Sequence, residues 1–464
     1  MAGGAPDWIL RIPSVLAHAS SGLILFILSS KLLRSKQQQE ANISFSDGLA
    51  AAISICWFCL DRSQLFYASE ARAYASLQLV QFLGWLCVWQ YVRPKSSTPD
   101  EMPKRFLILW ALSAGIGLHL HFMAALAILW QAMVILGVIA ARRTPRATIA
   151  FFTVSICTAA LCLPTITQGL PVWQRRDQWQ SFAGNTDWYF ALTMFSLVGF
   201  LASPALILFV DCAARSSKGS SNAAENESVG SWSKALFWLI AFAGPWLTAW
   251  LVTALKIAPV FHSRYILCSA LPLVVLATVL VALMQRRSLQ IAAVSVGFCC
   301  LIYNQGYPQV WQAGQLIGWQ RGEDWRAASA WIEDHISAGD EIWCAAGLIE
   351  GENLSLPISE RLDEYLTFPF RGAYKVQDSG GQFVEPKTLV ADASLWPRQW
   401  MKLEEAEQGG SSARFLICRA APEQLGQVLA YLKQEFEKAS YQFELSEPVQ
   451  SFGTLSAASI RGDF

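Results

Sequence analysis

The stretch Arg105–Ala141, RFLILWALSAGIGLHLHFMAALAILWQAMVILGVIAA, has no Asp, Glu, Lys or Arg after its first residue. As a single helix it would be about 55 Å long, well beyond a bilayer core of about 30 Å. It must therefore fold back on itself, and the turn is expected where Gly115, Gly117, His119 and His121 occur. A hairpin of two apolar helices predicts an α-helical polytopic membrane protein.

The composition agrees with this class. Of the 464 residues, 53% are hydrophobic and 15% are charged, which is too apolar for one soluble domain of this length. Apolar segments of span length recur along the chain and predict about ten spans. They cover 12–34, 45–60, 74–92, 105–118, 121–141, 147–166, 188–211, 233–255, 265–285 and 288–303.

Charge is distributed unevenly. Residues 1–303 have a net charge of +10 and residues 304–464 of −10, which indicates two domains in two environments. When alternate loops starting with 31–44 are placed inside, they hold fifteen Lys and Arg, against seven in the outer set. We therefore expect a multi-pass plasma (inner) membrane protein with both termini outside.

Residues 304–464 predict a soluble extracytoplasmic α/β domain. Asp324 is a suitable cap for a helix that ends before Gly339, and a second helix is expected at 422–438. Strands are expected at 341–346, 387–391, 414–418, 441–446 and 453–459. The sequence leaves open whether this domain binds an acceptor or is a structural cap, and whether Cys344 and Cys418 form a disulfide.

The patch Tyr67-Ala68-Ser69-Glu70-Ala71-Arg72-Ala73-Tyr74 leads directly into the span that ends near Val92. Charges at the mouth of a membrane helix need water, a partner or a ligand, so the patch is a functional candidate. If the helix starts at Glu70, one polar face carries Tyr67, Tyr74, Gln78, Gln81 and Trp85, and this face should look into the bundle. The alternative is an interfacial ion pair beside a tyrosine belt.

Two further groups fall on the same outer side. His121 lies at the expected turn, and Arg264 opens a span within His262-Ser263-Arg264-Tyr265. An arginine fork suits a phosphate, although a snorkelling arginine and a merely polar histidine are the simpler alternatives. The sequence has no phosphate-cradling glycine loop, no zinc-spaced Cys and His set and no basic stripe. A cytosolic nucleotide enzyme and a nucleic-acid partner are therefore not expected.

Several of these stretches together resemble the GT-C membrane glycosyltransferases, in particular the polyprenyl- or dolichyl-phosphate-sugar mannosyltransferase-like group. The Tyr67–Tyr74 patch is similar to that group's Y-S-Q-E-A-R-x-Y, and His121-Phe122 matches its T-H-Y-F turn at two positions. Arg264-Tyr265 resembles its R-Y-L-L segment. Arg11–Ala17 looks like its R-L-P-S-x-L-A opening, and Asp324–Ala328 with Gly339-Asp340 looks like its D-W-R-x-A…G-D segment.

The resemblance implies transfer of a sugar from a polyprenyl-phosphate donor to a lipid, glycan or protein acceptor at the extracytoplasmic face. Arg264 and Arg72 would then contact the phosphate, with Tyr67 and Tyr74 beside them. Glu70 is the candidate catalytic carboxylate. With His121 it would orient the acceptor or a divalent ion, and the need for a metal stays open.

In the family the base is an Asp of an outer loop after a leading span, and neither has a counterpart here. We therefore expect an upstream span and an Asp-Glu loop. Whether the chain is active without that loop stays open. The competing classes are a non-catalytic scaffold or pseudoenzyme and a transporter. A transporter predicts inverted repeats and mid-span acids, which the sequence lacks.

Overall fold

The computed structural model describes residues 7–33, 57–69, 73–92, 104–174, 186–194, 201–216, 223–284, 286–312, 324–345, 367–371, 374–388, 413–418, 422–438, 444–452 and 455–461. Contacts divide the chain into two units. The helical unit ends at Trp319, and the α/β unit begins at Gln320. Each unit has its own hydrophobic core.

The described part of the helical unit consists of α-helices of 6 to 32 residues. They are α1 (Asp7–Leu33), α2 (Arg62–Ser69), α3 (Tyr74–Val92), α4 (Lys104–Leu120), α5 (Ala124–Arg142), α6 (Pro145–Leu161), α7 (Leu163–Gln174), α8 (Trp188–Thr193), α9 (Ala202–Ser216), α10 (Ala223–Ala254), α11 (Ala270–Ala282), α12 (Arg287–Asn304) and α13 (Tyr307–Gln312). A 3₁₀ turn, Leu267–Ser269, precedes α11.

Four stretches are long and apolar enough to cross a membrane, namely Arg11–Ser30, Ala124–Arg142, Trp232–Ala254 and Arg287–Asn304. Helix α6 and the stretch Leu163–Leu170 of α7 are bent by 57° at their break, and they form either a fifth, broken span or a re-entrant loop. The chain is thus a helical protein with membrane-spanning segments, but by this criterion its described residues do not reach the expected ten spans. One reason is that other apolar helices are shorter, such as Leu267–Ala282.

The hairpin expected within Arg105–Ala141 is present. Helices α4 and α5 are joined by His121, Phe122 and Met123. The expected position of the turn was partly wrong, because Gly115, Gly117 and His119 lie inside α4. A Cβ on Gly117 would come within 1.9 Å of Gln81 Nε2, so this glycine permits close packing of α3 on α4.

The polar face of α3 points into the bundle, as expected. Gln78, Gln81 and Trp85 are no more than 2% exposed. Gln131 of α5 donates from Nε2 to the Gln81 backbone oxygen at 3.1 Å and accepts from Trp110 Nε1 at 2.9 Å. Because a buried polar group must be hydrogen-bonded to be tolerated, this pairing fixes the register of three helices.

Tyr67 does not belong to that helix. Helix α2 ends at Ser69 and α3 begins at Tyr74, so the expectation of one helical face from Tyr67 to Trp85 was wrong at its first member. Tyr67 nevertheless lies beside Tyr74, with ring centroids 5.4 Å apart. Both rings belong to the same buried cluster.

The α/β unit contains a six-stranded mixed sheet in the order β2-β1-β3-β6-β4, with β5 also pairing with β6. Its elements are α14 (Trp325–His335), β1 (Glu341–Ala345), α15 (Phe368–Arg371), β2 (Lys387–Thr388), β3 (Arg414–Cys418), α16 (Pro422–Lys438), β4 (Glu444–Leu445), β5 (Gln450–Phe452) and β6 (Leu455–Arg461). Strand β1 is parallel to β2 and β3, whereas β6 is antiparallel to its neighbours.

Local signals account for these elements. Asp324 caps α14 by accepting from the Ala327 amide at 3.0 Å. Strand β3 is buried at every position, and all its residues after Arg414 are apolar, as expected for a strand covered on both faces.

Cys344 and Cys418 are both buried, and neither forms a disulfide. Cys344 is paired in register with Ile417, and Ala345 with Cys418. Side chains alternate along a strand, so the two sulfurs point to opposite faces of the sheet. A disulfide between them is therefore not formed in this fold.

Candidate functional site

Side chains from separate parts of the helical unit meet around Arg264. Tyr67 comes from the end of α2, Tyr74 from the start of α3 and His121 from the turn between α4 and α5. His262, Arg264 and Tyr265 come from the loop between α10 and the 3₁₀ turn. We call these six residues the Arg264 cluster.

Aromatic contacts connect the cluster. The His121 ring lies 5.6 Å from Tyr74 and 5.8 Å from Tyr265, measured between centroids. The three tyrosines are each 6 or 7% exposed. The rings therefore pack into one buried group, with hydroxyl oxygens and imidazole nitrogens at its edges.

Arg264 is held by its neighbour. Its Nη2 donates to Tyr265 Oη at 3.0 Å, and its guanidinium carbon lies 4.8 Å from the Tyr265 ring centroid. Both interactions restrict the side chain. A restricted, permanently charged guanidinium is a pre-organised site for an anion.

The two histidines are kept neutral. Burial is the main reason, and the nearby Arg264 charge the second, that the pKa of His121 and the pKa of His262 are each lowered to about 4. In both residues Nδ1 accepts a backbone amide, from Met123 at 3.2 Å and from Arg264 at 3.3 Å respectively. The ring proton therefore lies on Nε2, and each ring offers one N–H donor.

Thr253 shapes the loop that carries Arg264. Its Oγ1 accepts the amides of Val260 at 3.0 Å and Phe261 at 2.9 Å, and it donates to the Ala258 carbonyl at 3.2 Å. The hydroxyl thus satisfies backbone groups that would otherwise be buried unpaired. It determines the direction in which the chain leaves α10.

Another set of hydrogen bonds fixes the start of α2, the helix that carries Tyr67. Asp61 caps α2 by accepting the Gln64 amide at 3.0 Å, and Gln305, beyond α12, donates to its other oxygen at 3.4 Å. Gln305 also accepts the Arg62 amide at 3.1 Å. Burial raises the Asp61 pKa to about 6, against the lowering effect of the backbone amides of Gln64 and Ser63.

The structure brings together four of the six predicted site residues, Tyr67, Tyr74, His121 and Arg264. The other two, Glu70 and Arg72, lie outside the described residues. His119 is directed elsewhere, with Nδ1 2.6 Å from Thr165 Oγ1 of α7.

Sequence reasoning missed three residues. His262 and Ser263 directly precede Arg264, and Ser263 Oγ lies 3.2 Å from Tyr67 Oη. No spacing in the sequence points to that contact. Asp61 did have a signal, because Asp61-Arg62-Ser63-Gln64 has the capping-box pattern of an acid followed three residues later by a glutamine.

Within the described ranges no three His, Cys, Asp or Glu side chains are grouped to hold a metal ion. The predicted role of His121 beside a divalent ion thus finds no companion ligands in that part of the chain. With Nδ1 engaged, His121 is arranged as a hydrogen-bond donor.

One family model matches the chain. It describes the N-terminal domain of the protein O-mannosyl-transferase TMEM260 and covers residues 3–144, which include the Tyr67–Tyr74 patch and His121. The resemblance to mannosyltransferase-like membrane glycosyltransferases is therefore confirmed for this stretch. Arg264 and the α/β unit lie beyond it.

Two solved structures are similar, both crystal structures of ArnT from Cupriavidus metallidurans. The one bound to undecaprenyl phosphate has a TM-score of 0.30 and the apo form 0.31. Each is 10% identical to this chain, over 96% of this chain and 83% of that one. TM-scores of this size do not define a shared fold. No curated protein matches the chain.

Proposed function

We propose that the helical unit binds a polyprenyl-phosphate-linked sugar at the Arg264 cluster and transfers the sugar to an acceptor hydroxyl. One observation carries this proposal. Three segments that resemble transferase motifs, at 67–74, 121–122 and 264–265, are far apart in sequence and meet in the fold. The family model supports the first two, and the contact between His121 and Tyr265 adds the third.

The donor phosphate is assigned to Arg264. Its guanidinium provides the positive charge, and the neutral rings of His121 and His262 provide N–H donors beside it. Hydrogen bonds from charged donors to phosphate oxygens are about twice as strong as neutral ones. Such donors stabilise the charge that develops on the phosphate as the bond to the sugar breaks.

In the transfer step, an acceptor oxygen attacks the anomeric carbon while the bond from that carbon to the phosphate oxygen breaks. The proton of the acceptor passes to a carboxylate, and polyprenyl phosphate leaves. Glu70 is the carboxylate assigned near the acceptor, and Arg72 is assigned to the phosphate beside Arg264. The acceptor is a lipid, glycan or protein, and the description of the family model makes mannose the first sugar to test.

The reaction is placed at the extracytoplasmic face of the plasma membrane, with the α/β unit on the same side. The distribution of Lys and Arg among the loops supports this orientation.

The experiment measures binding and transfer separately. Full-length protein in micelles is titrated with polyprenyl phosphate, and membranes containing it are incubated with polyprenyl-phosphate mannose while release of polyprenyl phosphate is followed. Arg264→Ala should weaken binding about tenfold or more, which corresponds to about 1.4 kcal/mol or more. The matched control is Arg105→Ala, at the start of α4, which packs on Phe106 and is not part of the cluster.

Unchanged binding in Arg264→Ala contradicts the proposal. Binding that depends on Arg264 without any release of polyprenyl phosphate identifies a non-catalytic donor-binding protein instead. These two readouts distinguish the transferase from the scaffold alternative.

A further inference from the structure

A surface cleft lies far from the Arg264 cluster, between the end of α5 and the start of α6. Its volume is about 460 Å³, and it is a shallow, wide-open groove rather than an enclosed cavity. Ile139 and Ile149 contribute apolar walls, and Arg143, Thr144 and Thr148 contribute polar lining. The volume falls within the range of small-molecule sites, about 300–1,000 Å³.

The position of the cleft is determined by α5. This helix starts three residues after His121 and has 19 residues, so it rises by about 28 Å. The cleft lies at the far end of a helix that qualifies as a membrane span. It therefore faces the opposite membrane surface from His121, at the depth of the lipid headgroups.

The cations near the cleft have different roles. Arg142 is engaged, since its Nη2 donates to the Val92 carbonyl at the end of α3 at 2.7 Å. Arg143 has a left-handed backbone, with φ of 51°, and its exposed side chain is one of those that line the cleft. Arg146 follows in the first turn of α6. The surface here is thus positively charged beside an apolar wall.

Thr144 has an unsatisfied hydroxyl group. It occupies the cap position of α6 but makes no side-chain capping bond, and its buried Oγ1 has no hydrogen-bond partner in the part of the chain that the structure describes. Thr148 Oγ1 donates to the Thr144 carbonyl instead, at 3.2 Å. A buried hydroxyl is costly without a partner, so a rotation that turns Oγ1 outward to a phosphate oxygen would relieve that cost.

We propose that this cleft binds an anionic membrane phospholipid. The headgroup phosphate pairs with Arg143 and accepts from Thr144 once that side chain rotates outward, and an acyl chain lies along the exposed Ile149. Basic pockets between membrane helices suit anionic headgroups, and the apolar wall suits a chain. The proposal does not depend on sugar transfer, because the cleft and the Arg264 cluster are at opposite ends of α5.

The test measures lipid selectivity of the full chain in micelles by native mass spectrometry. The protein is incubated with equal amounts of phosphatidylglycerol and phosphatidylcholine that have the same acyl chains. The wild type should retain more phosphatidylglycerol. Arg143→Asn, which keeps a residue that tolerates the left-handed backbone, should lower the bound ratio about fivefold.

Arg105→Gln removes a cation that the cleft does not include and serves as the matched control, with an unchanged ratio expected. Ala140→Trp fills the cleft without removing charge and should lower the amount of bound phosphatidylglycerol by a similar factor. Size-exclusion chromatography and thermal unfolding identify any variant that fails to fold. If Arg143→Asn or Ala140→Trp fails, the other variant alone tests the proposal.

The proposal is overturned if Arg143→Asn and Ala140→Trp retain wild-type selectivity. It is also overturned if Arg105→Gln lowers the ratio as much as Arg143→Asn, because the effect is then general surface charge.

Discussion

Tyr67 Oη and Ser263 Oγ lie 3.2 Å apart, although 196 positions separate them in the sequence. This contact connects the end of α2 to the loop that carries Arg264. It is the shortest described link between the Tyr67–Tyr74 patch and the Arg264 segment, and it holds two motif-bearing segments in one site.

A double-mutant cycle measures this link. Tyr67→Phe and Ser263→Ala each remove one hydroxyl and keep the rings of the cluster packed. We expect a coupling free energy of about 1 kcal/mol in the stability of the protein, since that is the usual net contribution of such a bond. Additive effects of the two replacements would show that the hydroxyls are not coupled.

The neutral His121 makes stability depend on pH. Its pKa is lowered from 6.5 to about 4 in the folded protein. The contribution of the neutral ring to the free energy of unfolding is therefore present above pH 6.5 and lost as pH falls to about 4. The difference in unfolding free energy between wild type and His121→Gln should therefore decrease over that interval by at most about 3 kcal/mol. Unfolding in micelles at pH 4 to 7.5 measures it, with His119→Gln as the control outside the cluster. A constant difference contradicts the assignment.

Asp61 should show the opposite dependence. Burial raises its pKa from 3.8 to about 6, so its contribution is fully present below pH 3.8 and is lost as pH rises to about 6. Relative to Asp61→Asn, the wild type should lose at most about 3 kcal/mol of unfolding free energy between pH 4 and 7. Chemical unfolding of both proteins across this range is the measurement. A wild type that gains stability relative to the variant over the same range shows that the carboxylate is stabilised rather than buried at a cost.

Gly117 should not accept a side chain. A Cβ there would be 1.9 Å from Gln81 Nε2, so Gly117→Ala should destabilise the protein by about 1–3 kcal/mol. Gly137→Ala in α5 is the matched control. Nothing lies within 4 Å of its added Cβ, and helix propensity predicts a gain of up to about 1 kcal/mol.

Combining Gly117→Ala with Gln81→Ala should recover part of the loss, because the clashing amide is then absent. Thermal unfolding of the three variants is the measurement. Equal effects at Gly117 and Gly137 would contradict close packing of α3 on α4.

Cys344 and Cys418 should not form a disulfide with each other. Alkylation of the protein unfolded without reductant, followed by peptide mass spectrometry, should label both thiols. The physical reason is that they point to opposite faces of the sheet. A peptide pair linked by a disulfide would show a different register of β1 and β3.

Local signals were sufficient for most helices and for several strands. Apolar length predicted α3 and α5, and the helix expected at 422–438 is α16, because a helix or strand shows its buried face in its own periodicity. The same reasoning misplaced the turn near Gly117 and joined Tyr67 to α3. A glycine that permits close packing and a glycine that ends a helix look alike in sequence.

The sequence by itself determined that this is a helical membrane protein with an α/β unit, and it identified Tyr67, Tyr74, His121 and Arg264 as candidates. Composition and periodicity are local properties, so one chain is enough to recognise them. Only the tertiary structure decided that these four side chains meet, that His262 joins them and that Ser263 contacts Tyr67. Such contacts depend on how α2, α3 and the loop after α10 pack together, and no spacing along the chain encodes that packing directly.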